Sequence, residues 1–277
     1  MGTPETFGVR LARAIEARGP LCVGLDPSGA LLADWGQPDT AEGARYLALT
    51  TIEAVAETAA AVKVQVAFFE RFAAAGYAVL ERVIAVAREA GVLLVADAKR
   101  GDIGSTNEGY AQAWAGEGSA LRADALTLHP YLGVGALAPL LAVARASGTG
   151  ALVLAATSNP EGRSIQGARF EGRSVEAGVC AAVAELNARE GFGSVGVVIG
   201  ATRAPLGVDL ATLGGPVLVP GVGAQGAGPR EVATVTAGCA RASVLPSVSR
   251  AVLGAGPSRR ALRQAAERWR DGLAEVL

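Results

Sequence analysis

The sequence predicts an α/β fold, a single (β/α)8 TIM barrel over residues 1–277, and three observations carry that prediction. The length suits one barrel, which typically needs about 250 residues. Eight short apolar, β-branched runs recur along the chain, each too short for an ordinary helix and without strict polar alternation, the pattern of parallel strands buried on both faces. Helical spacing lies between the runs, and no linker rich in Pro, Gly or Ser divides them.

The runs cover residues 21–25, 61–66, 92–96, 123–128, 151–155, 195–199, 217–219 and 242–245. A helix over residues 7–17 precedes the first and is placed to close the barrel floor. After the first strand, Asp39 with Glu42 three residues on predicts a capping box, and Leu49, Ile52, Ala56 and Ala59 follow at helical spacing. Leu80, Ile84 and Ala87 mark another helix, which Gly91 ends just before strand three. The last helix sets Leu262, Ala265, Trp269, Leu273 and Val276 on one face. Irregular stretches, residues 27–38 and 158–174, follow strands one and five. Both leave the C-terminal ends of strands, the face where barrel enzymes keep their active sites.

Composition narrows the function. With 51% hydrophobic and 18% charged residues, the chain suits a compact enzyme with a well-buried core. A net charge of -1 and the lack of a basic run argue against a nucleic-acid partner. No apolar stretch reaches the roughly 20 residues of a membrane span. Residues 1–17 carry Glu5 and Glu16 and lack an apolar core, so they do not read as a signal peptide, and a cytoplasmic location is expected. Cys22, Cys180 and Cys239 are odd in number and far apart, as expected of reduced thiols rather than a disulfide frame or metal site. Of 25 basic residues only Lys63 and Lys99 are lysine. Coding bias explains the arginines, yet arginine cannot readily release a proton and lysine can, which singles out both lysines for proton chemistry.

The densest run of polar chemistry follows strand three: Asp97, Ala98, Lys99, Arg100, Gly101, Asp102, Ile103, Gly104, Ser105, Thr106. A period of two turns Asp97 and Lys99 to one side of the strand end, and Lys63 and Gln65 share a face of strand two in the same way. Asp102 lies just beyond, on the turn into the next helix, and Lys63, Asp97, Lys99 and Asp102 are expected to converge near one barrel mouth. A purely structural ion-pair network is the plain alternative, but burying four charges costs several kcal/mol per ion unless the geometry compensates. Such clusters usually mark functional sites.

The stretch from Asp97 to Asp102 resembles the signature of the orotidine 5'-phosphate decarboxylases. Other strand ends agree in order: Gly24-Leu25-Asp26-Pro27-Ser28, Lys63, Thr157-Ser158-Asn159-Pro160, Pro220-Gly221-Val222-Gly223-Ala224-Gln225-Gly226 and Ser249-Arg250. The insertions and the Thr-Ser-Asn-Pro motif resemble the longer bacterial (type 2) branch. The resemblance implies a cofactor-free, metal-free enzyme that converts orotidine 5'-monophosphate to UMP and CO2, the last step of de novo pyrimidine nucleotide biosynthesis. It makes Lys99 the donor of the proton to C6, sets Asp97 against the substrate carboxylate, and completes the network with Lys63 and Asp102. It places Asp26 on the ribose hydroxyls, Ser158 on the pyrimidine edge and Gln225 and Arg250 on the phosphate, beside Pro220. Asp102, Ile103 and Thr106 resemble a stretch that reaches a partner subunit's site, so a homodimer with shared active sites is implied.

Physical logic supports that chemistry. Decarboxylation without an adjacent electron sink leaves a localised carbanion, a problem usually delegated to a cofactor. A site without one must stabilise the anion electrostatically, and a preorganised ammonium does so. Binding energy from a remote phosphate can be used to close and desolvate the site. Arg250 supplies a fork suited to phosphate, although a plain surface arginine is the simple alternative.

Residues 221–226 also fit the GxGxxG dinucleotide pattern. They follow strand seven rather than strand one, and no acid ends the next strand, which argues against it. His129, the only histidine, ends strand four without a G-x-S-x-G elbow in the chain, and reads as a hydrogen-bonded wall residue. Metal-dependent relatives such as keto-gulonate phosphate decarboxylase and hexulose phosphate synthase share the DxKxxD pattern but carry a metal-binding Glu where Lys63 stands. A non-catalytic barrel binding phosphorylated ligands is the alternative from another class.

Overall fold

In the computed structural model, which describes residues 4–188, 192–204, 206–224 and 226–277, eight parallel strands close into a barrel. They are β1 (Cys22–Leu25), β2 (Ala61–Gln65), β3 (Leu93–Arg100), β4 (Ala125–Leu128), β5 (Gly150–Ala156), β6 (Val195–Ile199), β7 (Val217–Val222) and β8 (Val244–Val248). Each pairs with its neighbours in sequence, and β8 pairs with β1.

Alternation along each strand divides the core in two. Val23, Val62, Leu94, Leu126, Val153, Val197, Val219 and Val244 face outward into the main cluster, which the surrounding helices cover. Cys22, Ala61, Val95, Ala125, Leu152, Val198, Leu218 and Leu245 face inward and fill the lower barrel. Two residues further on, the inward positions include Lys63, Asp97, Thr127 and Ser247. Strand pleating thus lifts the chemistry from an apolar floor to a polar mouth.

The floor is closed by α1 (Phe7–Arg18), as expected, because Phe7, Leu11 and Ile15 join the inward cluster. Its first turn is pinned across the barrel. Gly8 N donates to Ser194 Oγ at 3.1 Å, Arg10 donates to Gly148 O at 3.0 Å, and Arg10 pairs with Asp124. The other Asp124 oxygen accepts from Leu94 N at 2.9 Å. Phe7 fits only because β5 begins with glycine: a Cβ on Gly150 would lie 2.2 Å from its ring. Gly150→Ala is expected to lower stability by about 1–3 kcal/mol, the cost of overpacking, where a strand would otherwise favour alanine. Urea unfolding reads this, and an unchanged midpoint would contradict the close approach of ring and strand.

Helices α2 (Ala41–Val55), α3 (Ala73–Glu89), α4 (Gly104–Ala115), α5 (Ala138–Ser147) and α6 (Val175–Asn187) follow β1 to β5 in turn. Helix α7 (Pro229–Val235) follows β7, and α8 (Arg259–Ala274) closes the chain. The strict eightfold alternation fails at the sixth crossover. Residues 200–216 form no helix among the described residues, since Gly207, Gly214, Gly215 and Pro216 punctuate the segment. Leu210 and Leu213 are nevertheless buried against the core.

Several local expectations shift. The α2 cap is Thr40, whose hydroxyl accepts from Gly43 N, while Asp39 is engaged by the Arg71 guanidinium at 3.0 Å. Ala56 is the C-cap of α2 and Ala59 lies beyond it. Gly91 follows α3 at φ 66, the left-handed geometry glycine favours after a helix. The eighth strand starts at Val244 because residues 241–243 make a 3-10 turn, and Val276 lies past the end of α8. Residues 158–174 carry a short helix, Gly162–Gln166, and a hairpin pairing Arg169–Phe170 with Arg173–Ser174. No helix among the described residues is long and apolar enough to cross a membrane.

Candidate active site

A cavity of about 350 Å³ opens at the C-terminal mouth of the barrel. Its walls include Asp26 after β1, Lys63 and Gln65 on β2, Asp97 and Lys99 on β3, and Thr157 and Ser158 after β5. Pro220 and Ala224 at the end of β7, and Ser247, Ser249 and Arg250 at the end of β8, complete the ring.

Charges of alternating sign cross this cavity. Lys63 Nζ lies 3.8 Å from Asp26 Oδ1 and 3.1 Å from Asp97 Oδ2, and Lys99 Nζ lies 2.7 Å from Asp97 Oδ1. Thr127 Oγ1 donates to Asp97 Oδ1 at 2.8 Å. Two Asp97 oxygens face the Gln65 amide, so its Nε2 is the end that donates, at 2.8 Å to Oδ2 and 3.1 Å to the main-chain oxygen. One carboxylate thus gathers donors from three adjacent strands.

Its protonation follows from those contacts. Burial alone would raise the Asp97 pKa. The Lys63 and Lys99 charges, with hydrogen bonds from Lys99 and Thr127, outweigh burial and hold it at about 2. Burial likewise opposes the charge on Lys63, whose side chain is only 6% exposed, yet Asp26 and Asp97 carry its pKa above the ordinary lysine value. Beneath them, burial pushes the Cys22 thiol up to about 12, which leaves it protonated and unreactive. Asp97 and Lys63 are a fixed ion pair, with Lys99 at its open end, 45% exposed to the cavity.

The backbone shapes this end of the site. Pairing of β3 with β4 runs from Ala96 opposite Leu126 to Arg100 opposite Leu128, so four residues of β3 span what two of β4 cover. Within that bulge Lys99 has φ 47, a left-handed conformation that a side-chain-bearing residue holds only when its surroundings enforce it. Arg100 braces the bulge from outside: its guanidinium donates to Ala98 O at 2.9 Å, pairs with Glu70 and stacks on Tyr110 and Trp114.

Two polar atoms in the wall are buried without a hydrogen-bond partner, Asp26 Oδ1 and Ser249 Oγ. Buried polar groups are nearly always satisfied, so both suit a ligand that brings hydroxyls. Among the described residues no group of three or more His, Cys, Asp and Glu is placed to hold a metal ion.

Of the residues expected from sequence, Lys63, Asp97, Lys99, Asp26, Ser158, Pro220 and Arg250 line the cavity. The fourfold convergence within one chain does not form: Asp102 stays outside, its carboxylate accepting from Ile103 N at 2.8 Å as the chain turns into α4. Asp26 takes the fourth place. Thr106 is exposed on α4, and His129 packs against Gly101 beside the mouth, outside the cavity. Gln225 lies outside the described residues; its neighbour Ala224 lines the site. Thr127 and Ser249 carried no assigned role. The signal for Thr127 was its position as the lone polar residue in Ala-Leu-Thr-Leu.

The model of the family described as orotidine 5'-phosphate decarboxylase / HUMPS matches residues 19–265. An orotidine 5'-phosphate decarboxylase of Salinispora arenicola is 52% identical over 266 residues, covering 95% of both chains. That of Streptomyces coelicolor is 51% identical over 267 residues, covering 96% of both. A crystal structure from Streptomyces avermitilis, described as an orotidine 5'-phosphate decarboxylase, superposes with a TM-score of 0.95 at 50% identity, covering 99% of this chain and 97% of that one. The OMP decarboxylase of Leishmania donovani gives a TM-score of 0.75 at 30% identity, covering 98% of this chain and all of its own.

Proposed function

The chain belongs to the orotidine 5'-phosphate decarboxylase / HUMPS family, and from that premise we propose that it decarboxylates orotidine 5'-monophosphate to UMP, the last step of de novo pyrimidine synthesis. The observation that carries the reading is the Lys63–Asp97–Lys99 chain of charges at the barrel mouth. In this reading Asp97, held ionised by its neighbours, faces the substrate carboxylate and disfavours the bound ground state. Cleavage of the bond from C6 to the carboxyl carbon releases CO2 and leaves the electron pair on C6. The Lys99 ammonium stabilises that pair and then transfers a proton to it, giving UMP and a neutral amine that solvent reprotonates. Lys63 keeps Asp97 charged throughout. No cofactor takes part.

The residues of the wall support a placement of the substrate. Asp26 and Ser249, each with a buried oxygen that lacks a hydrogen-bond partner, receive the ribose hydroxyls. Ser158 faces the pyrimidine edge. Arg250, beside the turn after Pro220, grips the phosphate together with Gln225.

Asp102 and Thr106 act in this reading on the site of a partner subunit in a homodimer. Exposed apolar side chains near them support an interface: Ile103 is 62% and Tyr131 78% exposed, with Leu132 alongside. Mixing Lys99→Ala and Asp102→Ala proteins, each inactive alone, is expected to restore roughly a quarter of wild-type activity as exchanged two-fold dimers regain one intact site. No recovery after demonstrated subunit exchange counts against shared sites.

The reading itself is tested by following orotidine 5'-monophosphate absorbance with purified protein in EDTA. Rapid substrate loss supports it. Tight binding without turnover indicates a phosphate-binding scaffold, and activity only on adding Mg2+ indicates the chemistry of a metal-dependent relative.

A further inference from the structure

We propose that Thr127 is a positioning residue for the decarboxylation, its hydroxyl standing in for a missing strand–strand hydrogen bond so that Lys99 and Asp97 are held in one arrangement. The inference rests on the function proposed above for the mouth of the barrel. It starts from the bulge in β3. Over residues 97–99 the ladder to β4 is interrupted, and a buried main-chain N–H that loses its ladder partner must find another acceptor. Lys99 N finds Thr127 Oγ1 at 2.9 Å.

That bond fixes the hydroxyl's direction. An oxygen that accepts from Lys99 N keeps its own proton for another acceptor, and Asp97 Oδ1 lies 2.8 Å away. The same Asp97 oxygen receives Lys99 Nζ at 2.7 Å. Backbone of Lys99, hydroxyl of Thr127, carboxylate of Asp97 and ammonium of Lys99 therefore close a ring. The ring holds Lys99, whose backbone is left-handed, and aims its side chain. Thr127 is 1% exposed and does not line the cavity, so it acts through its two neighbours rather than on the substrate.

The chemistry makes the hydroxyl separable from the shape. Thr127→Val keeps the branched side chain that a strand favours but leaves Lys99 N–H and one position on Asp97 unmet. Thr127→Ser keeps the hydroxyl and removes a methyl group. The valine protein is expected to lose about tenfold to a hundredfold in kcat, the range for a hydrogen bond to a charged group, with KM and UMP affinity within about threefold of wild type. The serine protein is expected to retain kcat within about threefold.

Hydrogen exchange supplies a readout independent of turnover: the Lys99 amide should exchange at least about tenfold faster in the valine protein, and at the wild-type rate in the serine protein. Wild-type kcat in the valine protein would overturn the inference, as would equal losses in both variants, which would assign the effect to packing. A parallel loss of UMP affinity would mean general distortion of the pocket and would overturn it too. If the wild type fails to turn over orotidine 5'-monophosphate, the proposed function falls, while the exchange comparison still decides whether Thr127 holds Lys99.

Discussion

Lys99→Ala is expected to lower kcat for orotidine 5'-monophosphate by more than about 10⁴-fold while leaving the fold intact. Two contributions are lost together: proton delivery, worth about 10²–10⁴-fold, and stabilisation of the developing carbanion by a preorganised charge, worth about 10²–10³-fold. They reside in one ammonium, so the combined loss need not equal their product. Lys99 sits at the open end of the cluster with its side chain 45% exposed, and Asp97 keeps Lys63, Thr127 and Gln65 when it is removed. Thermal unfolding should therefore change little. Lys99→Arg divides the two contributions, because arginine restores a positive charge but cannot readily give up a proton. Single-turnover assays provide the measurement, and an alanine protein within tenfold of wild type would remove Lys99 from the chemistry.

The second large effect concerns stability. Asp97→Ala strips Lys63 of its nearest partner and leaves an ammonium buried with only Asp26, 3.8 Å away. Removing one member of a buried pair typically costs about 3–5 kcal/mol, far more than losing an exposed ion pair. Replacing both members should cost less than the single change, so a Lys63→Met/Asp97→Leu protein is expected to be inactive yet more stable than Asp97→Ala. Denaturant unfolding of the three proteins decides this. Equal stability of single and double variants would show that Lys63 is not held at the expense of the fold.

The same pair gives the acid limb of stability a sign. Asp97 titrates near 2 in the folded protein and near 3.8 as an ordinary carboxylate, so its contribution is complete above about pH 4 and lost as the pH falls towards 2. The shift corresponds to about 2 kcal/mol. Wild type should lose stability over that window more steeply than the double variant, in which the group is absent.

Most of the barrel was legible because its strands are apolar on both faces, a pattern that few other arrangements satisfy. Lys63, Asp97 and Lys99 were legible for a related reason, since charges at the ends of such strands have nowhere to point but the mouth. The bulge was not, because it arises from pairing between β3 and β4 that neither segment displays alone. Thr127 was hidden with it: a threonine in a core strand suits β propensity without any further role. Asp102 was read on the turn beyond the strand, where no period fixes a direction, and its carboxylate turns to the Ile103 amide rather than to the mouth of its own barrel. At the sixth crossover Gly207, Gly214 and Gly215 were visible breakers, overridden by the regularity of the preceding repeats.

The floor helix has a consequence for how the molecule assembles during synthesis. Its amide contact from Gly8 to Ser194 joins residues 186 positions apart. At a typical elongation rate of about 5–20 residues per second, α1 waits roughly ten to forty seconds before its docking site on β5 and β6 has been made. Its apolar stripe of Phe7, Leu11 and Ile15 stays uncovered for that interval. A helix made before every strand is thus among the last elements to find its place, and the barrel can be sealed from below only once more than two-thirds of its strands exist.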